Sequence, residues 1–550
     1  MRVLGLGGSH HDFCACLVED GEVIAAVEEE RLTRVKQAFG LGPRLARCLA
    51  ADAVLQEAGL GIDDVDLVVA NDFLNRVYSL RFDNRVHWIG HHLSHAASTF
   101  YTAPFDSAAV LVLDGRGSAV EGPDGLRGET ITHYAADSDG LRTIRQQLGR
   151  VTLTDVRMED PNEDSVGWMY EAVSKAIGFV SRRTGMGEPG KTMGLAPYGG
   201  RRYVDALAET FHLADGEFRQ SFAQQDALRE LIAGELAKAP DERSREAVRA
   251  DFAFAAQANT ERIVLELARW LHEATGERRL CLAGGVALNS VTNYRLLTET
   301  PFEQVHIVPA AGDNGTGLGA ALYGYHEIGG HPRKDTRTPF SPYLGPRHGT
   351  ADIDAAIEQY RRQLRVEHPD DLFDHVAAQL ADGAIVGWFQ GRSEIGPRAL
   401  GNRSILADPR PAGMKDHINA KVKHREAFRP FAPVVLESRQ AEFFTSDAPN
   451  YYMLLVPDVR PEHRATIAAV THVDGSARMQ TASPRLNRPL CDLLTAFDRI
   501  TGVPVLLNTS FNDNDEPIVE TPQDAIRCFL NTEMDLLVLG DTVLRRSGAA

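Results

Sequence analysis

In the stretch HHLSHAAS, His91 and His95 stand four residues apart. On a helix that spacing sets both imidazoles on one face, one turn from each other, which suits a shared metal ion and equally suits an ordinary capped helix face. Asp114 strengthens the first reading. It ends the apolar run AAVLVLD and precedes GRGS, so its carboxylate is expected at a strand end, facing a crevice. Asp313 follows VHIV in PAAGDNGTG and occupies the corresponding position in a later segment. Two nitrogen and two oxygen donors, with room for exogenous ligands, suit Fe(II), Mn(II) or Zn(II). The HExxH pattern is absent, so zinc-protease chemistry is not supported.

Two glycine-rich stretches invite comparison with phosphate and nucleotide sites. GMGEPGKT, residues 185–192, satisfies the GxxxxGKT pattern, yet SKAIGFVSRRT before it does not read as a strand and Pro197 interrupts the segment after it, where a helix should begin. A glycine loop lining a crevice is the better expectation. In LAGGVALN, Gly284 and Gly285 allow a backbone to approach a flat ligand such as adenine, and Asn289 closes the same stretch. A plain packing turn is the alternative; beside Asp313 and its glycines, nucleotide is favoured.

Positive charge concentrates further on. Residues 391–430 hold nine Lys or Arg against four acids, inside a chain of formal net charge -18. The interleaved Gly396, Pro397, Pro430 and Pro433 argue against an amphipathic helix and for a structured pocket for small anions. Arg398, Lys423 and Arg429 are candidate clamps for phosphate oxygens. LLNTSFN adds Asn508, Ser510 and Asn512 as neutral donors for a carbonyl and ribose.

The elements needed to hold these groups are legible. VLGLGG, CACLVEDGEVIAAVEEE and their Asp20-Gly21 turn read as strand, loop and hairpin, and SAAVLVLD, GRGS and ETITHYAADSDGLRTIRQQ repeat that order. Two such copies feeding helices are what a duplicated ribonuclease-H-like architecture, the actin and sugar-kinase fold, would write. Helices are expected over IGHHLSHAASTFYTA up to Pro104, over residues 162–179 and over 251–275. The Pro- and Gly-dense stretch 329–349 reads as a linker to a second α/β domain.

At 550 residues, more than one core is expected. Six scattered cysteines without a CxxC pair imply free thiols rather than disulfides or a thiolate zinc site. The acidic net charge argues against nucleic acid, and no apolar run approaches a membrane span. The N-terminus reads as a strand rather than an export signal, so cytoplasmic localisation is expected.

Taken in order, SHHDFCACLVEDG, EEERLTRVK, HHLSHAAS, VLVLDGRG, GEPGKTMGLAPYG, LAGGVALN, GDNGTGLGAAL, GRSEIGPRALGNRSILADP, VKHREAFRPFAP, HVDGSARMQT and VLLNTSFN closely resemble the O-carbamoyltransferase family of tobramycin, cephalosporin, novobiocin and NodU-type enzymes. The resemblance implies a TsaD-like metal- and nucleotide-binding domain (1–335), a linker (336–349) and a YrdC-like α/β domain (350–550). It implies that carbamoyl phosphate and ATP, with Mg2+, form carbamoyladenylate in the second domain, and that the carbamoyl group then passes to a hydroxyl in the first. Arg398, Lys423, Arg429, Arg478, Ser510 and Asn512 would bind or form the adenylate, and His91, His95, Asp114 and Asp313 would hold Fe(II) or another divalent transition metal. His11, Asp12 and Lys36 would lie by the acceptor, with His11 as candidate base. The expected partner is a small hydroxylated molecule, with neither nucleic acid nor membrane, and a homodimer is left open. The rival readings are a small-molecule kinase and a threonylcarbamoyl-type RNA-modification protein; specificity would lie in loops such as 155–165.

Overall fold

The computed structural model describes residues 1–82, 84–123, 125–152, 162–333 and 338–548 as a mixed α/β protein. Its chain forms two compact units. The first comprises residues 1–22, 42–48 and 62–340, and the second comprises 23–41, 49–61 and 341–550. The step between them at 340/341 falls within the stretch read as linker, of which residues 334–337 lie outside the described set. The first 335 residues are not one body, however, because two short N-terminal segments belong to the second unit.

In the first unit one strand pattern occurs twice. Arg2–Gly7 pairs antiparallel with Cys14–Glu19 and parallel with Leu67–Asn71, which pairs parallel with Val86–Ile89. Ala108–Leu113 pairs antiparallel with Gly125–Asp137 and parallel with Arg279–Ala283, which pairs parallel with Gln304–Ile307. Central strands covered on both faces should be apolar throughout, and all six residues of Ala108–Leu113 are buried. Helix His91–Phe100 packs on helix Thr316–Tyr323, which packs in turn on Arg2–Gly7. Both contacts depend on glycine: a Cβ at Gly7 would overlap the Gly317 backbone, and one at Gly319 would overlap the Ser94 carbonyl. That close approach brings the histidine helix up to Asp313.

The expected helices are present with shifted ends, as His91–Phe100, Val166–Ala176 and Glu242–Thr275. The last is 34 residues long, capped by the Asp241 side chain and ended by left-handed Gly276. No helix among the described residues is long and apolar enough to cross a membrane. All six cysteines are buried and none is in a disulfide.

The second unit is built on eight strands in the order Leu364–Glu367, Thr542–Arg546, Leu536–Leu539, Val386–Phe389, Arg403–Ala407, Val505–Ser510, Ala432–Leu436, Gln480–Ala482. Both faces are covered, because side chains alternate along the strands. Ile405 and Ala407, with Val505 and Leu507, join one core, while Leu406 and Leu506 join the other with Trp388. The basic loops lie at the ends of the central strands.

Candidate functional site

His91, His95, Asp114 and Asp313 converge in the first unit. Their donor atoms all lie within 4.8 Å of one another, and all four residues are buried. His91 Nε2 is 3.2 Å from Asp114 Oδ2 and 3.5 Å from Asp313 Oδ1; His95 Nε2 is 3.8 Å and 3.5 Å from the same atoms. Helix His91–Phe100 supplies the imidazoles, Asp114 follows strand Ala108–Leu113, and Asp313 opens a short turn before helix Thr316–Tyr323.

The ring orientation is fixed from behind. Asn71 Nδ2 donates to the Gly8 carbonyl and to Thr316 Oγ1, so its Oδ1 is the acceptor for His91 Nδ1–H at 3.2 Å. Nε2 is then the ring nitrogen turned toward the carboxylates, the atom an imidazole ligand would offer a metal. Electrostatics point the same way. Burial disfavours the His91 imidazolium, but Asp313 and Asp114 outweigh it and lift the ring to about 10. Burial likewise opposes ionisation of Asp313, yet His91 and His95 hold it well below the usual carboxylate range. Two buried carboxylates that demand positive charge, faced by two nitrogens, form a donor set that fits a divalent ion.

His11 lies beside this cluster. Its Nδ1 is 2.9 Å from Asp12 Oδ2, and burial is outweighed by Asp12 and then by Asp313 and Asp114, so the ring is raised to about 9. His10 responds oppositely, pushed down by burial and Arg116. Phe73 is the shared wall: His10 and His91 meet its ring edge-to-face, and Arg116 lies 5.3 Å from its centroid.

The nucleotide candidates have structural duties. Gly284 sits at φ 94°, where a Cβ would overlap the Leu113 carbonyl, and the Gly285 amide donates to Asp114 Oδ1 at 2.9 Å. Asn289 caps helix Ser290–Glu299 and donates to Gln257. The GMGEPGKT segment follows helix Val166–Ala176 and a turn rather than a strand. Pro189 opens helix Pro189–Leu195, and Lys191 pairs with Glu188 at 2.8 Å, so the phosphate-loop context is absent.

The second unit gathers its cations. Burial pushes Arg478 well down, with Arg398, Arg425 and Arg429 adding to the effect; Arg398 and Arg425 are lowered by burial and then by Arg429. The Nε atoms of Arg398 and Arg478 are buried without a hydrogen-bond partner. Arg429 has one distant acid, Glu426 at 3.8 Å. Lys423 is different from a free clamp, because its Nζ donates to oxygens of Ser510 and Asn512 at 2.6 to 3.2 Å. It ties together the segment carrying the neutral donors. Burial, then Arg425, Arg429 and Lys36, pushes its ammonium well below its ordinary value. Lys36 therefore neighbours Lys423 within the second unit, whereas His11 and Asp12 belong to the first.

Reasoning from residue types passed over Arg425, His10, Asn71, Phe73 and Arg116. Asn71 had a usable signal: it ends strand Leu67–Asn71, as Asp114 follows its own strand in the second copy of the pattern.

Known proteins share this chain's sequence over both units. Residues 74–322 match the model described as carbamoyltransferase N-terminus, and 377–546 the one described as carbamoyltransferase C-terminus. The chain is 37% identical to nodulation protein NolNO of Sinorhizobium fredii (strain NBRC 101917 / NGR234), over 98% of its own length and 80% of that protein. It is 36% identical to the uncharacterized protein sll1178 of Synechocystis sp., over 99% and 97% of the two chains. Among solved structures, HypF of T. kodakarensis is 15% identical, covering 61% of this chain and 49% of that one at TM-score 0.41. The site and the comparisons together define a transferase enzyme. The chain belongs to the carbamoyltransferase family.

Proposed function

We propose that the chain is an ATP-dependent O-carbamoyltransferase working through two separate sites. In the second unit, carbamoyl phosphate and ATP, with Mg2+ and one water, give carbamoyladenylate, pyrophosphate and phosphate. In the first, the carbamoyl group passes to the hydroxyl of a small acceptor and AMP leaves. The observation that carries this reading is the gathering of Arg398, Arg425, Arg429 and Arg478, with Glu426 3.8 Å from Arg429 and the buried Nε atoms of Arg398 and Arg478 left for an anion to meet. Joining two anionic reactants calls for such a set, since fixed donors offset their repulsion and the charge developing at phosphorus. Lys423 would act by holding Ser510 and Asn512 in position.

In the first unit, His91, His95, Asp114 and Asp313 would hold a divalent metal, Fe(II) by family resemblance, which when bound supplies a Lewis acid for the carbamoyl carbonyl. Asp12 holds His11 through Nδ1; with a cation on Asp114 and Asp313 their pull on the ring would be answered, and the neutral imidazole would then take the acceptor's hydroxyl proton at Nε2. The repeated strand pattern supports reading the first unit as a duplicated actin-like, TsaD-like domain, and the second is read as YrdC-like. Gly284, Gly285 and Asn289 remain the nucleotide candidates of the first unit. The acidic net charge is compatible with a cationic acceptor; the acceptor loop proposed at 155–165 lies mostly outside the described residues.

The test is product analysis. Pyrophosphate should form from ATP only when carbamoyl phosphate is present, and Lys423→Ala should remove it. ADP in place of pyrophosphate and AMP would identify a kinase.

A further inference from the structure

Arg398 sits on the irregular loop joining strand Val386–Phe389 to strand Arg403–Ala407, so its placement depends on what pins that loop. At one end Glu394 Oε1 accepts from the backbone amides of Leu400, Asn402 and Arg403. At the other, two residues before Arg398, stands Gly396 with the left-handed φ of 94°. Its amide donates to Glu28 Oε1 at 2.5 Å, and its carbonyl accepts from Arg31 Nη2 at 2.7 Å. Both backbone polar groups of one glycine thus end on ionisable side chains from residues 28–31, which belong to the same compact unit although more than 360 positions away.

These side chains are costly to keep. Glu28 is 4% and Arg31 1% exposed, and Arg31 Nε and Nη1 have no hydrogen-bond partner. The Arg31 contacts to Glu28 and Glu30 are 3.9 and 3.7 Å, longer than hydrogen bonds; burial disfavours the guanidinium, and Glu28, Glu30, Glu520 and Glu394 together are needed to hold its charge. An apolar pair of similar volume would pack as well or better, but it could not grip a peptide unit from both sides. Glu28 and Arg31 also lie outside both stretches that match the family models.

We propose that Glu28 and Arg31 are positioning residues for Arg398: their paired hold on Gly396 sets where the guanidinium stands in the anion site. The inference rests on Arg398 being an anion clamp. It makes the N-terminal segment 23–41 a working part of the anion site in the second unit.

The test uses the full chain and calorimetric binding of inorganic pyrophosphate. Glu28→Ala and Arg398→Ala should each weaken binding about tenfold, the scale of one charge-assisted contact, and the double variant should bind no more weakly than Arg398→Ala. Losses that add, or wild-type affinity in Glu28→Ala, would overturn the proposal. If Glu28→Ala does not fold, Glu28→Asp withdraws the same carboxylate by one methylene and carries the same cycle. Turnover separates the two claims. A chain that binds pyrophosphate with the expected cycle but releases none from ATP and carbamoyl phosphate contradicts the proposed reaction alone. Turnover with additive losses contradicts the positioning role alone, and no binding by the wild type overturns both.

Discussion

The metal candidate and the anion candidate solve opposite charge problems. In the first unit, two carboxylates are buried beside two imidazoles; Asp313 and Asp114 raise His91, and the imidazoles hold both carboxylates below their ordinary range. In the second, burial and then neighbouring guanidiniums lower Arg398, Arg425 and Arg478, and Arg398 and Arg478 present buried nitrogens with no hydrogen-bond partner. The first cluster is self-compensating in the apo chain and would exchange protons for a cation. The second cannot compensate itself and gains most from an incoming anion. Burial alone does not distinguish them; the sign and completeness of pairing do.

The largest effect that would sharpen this contrast comes from removing one unpaired cation. Arg398→Ala should slow pyrophosphate formation by on the order of 10² to 10³, the usual cost of one preorganised electrostatic contact. Metal content, measured by elemental analysis, should not change. Loss of metal in that variant would mean the two sites are not independent.

A smaller effect should appear as ligand-linked stability. Pyrophosphate at 100-fold above its Kd should stabilise the second unit by about 2.7 kcal/mol, read from its thermal unfolding midpoint. Added salt should shrink the gain only modestly, since buried guanidiniums are screened less than exposed charges. A midpoint insensitive to pyrophosphate would break the comparison on its anionic side.

A further test concerns Glu28. Burial, only partly opposed by Arg31 and the Gly396 amide, lifts its carboxyl from 4.5 to about 7. Between those values the native chain holds a proton that the unfolded chain has released. Stability should therefore fall as pH rises through that window, by up to ~1.4 kcal/mol per pH unit from this group. Glu28→Gln cannot ionise, so denaturant unfolding from pH 5 to 7 should show a shallower decline. An unchanged slope would assign the proton elsewhere.

Much of the first site was legible because its logic is local. A four-residue histidine spacing needs only a helix, and Asp114 needs only the end of a buried strand. The basic stretch was visible as charge density interrupted by Gly and Pro. What escaped depended on long-range folding. Nothing in EEERLTR says that Glu28 and Arg31 reach Gly396, because side chains that hydrogen-bond a distant peptide unit leave no periodic trace. Lys423 looked like a free clamp, yet its partners Ser510 and Asn512 are nearly ninety positions away and neutral. The GKT match was set aside on its flanks, and a helix and a turn rather than a strand precede it, with a seven-residue helix opened by Pro189 in place of a phosphate loop.

The claim on which the rest depends is that the two sites perform separable steps. His95→Ala, supplied with ATP, carbamoyl phosphate and a panel of hydroxylated natural products, measures it most directly. Pyrophosphate release should persist at the wild-type rate while the mass gain of one carbamoyl on any acceptor is lost. Equal loss of both signals would contradict the two-site division.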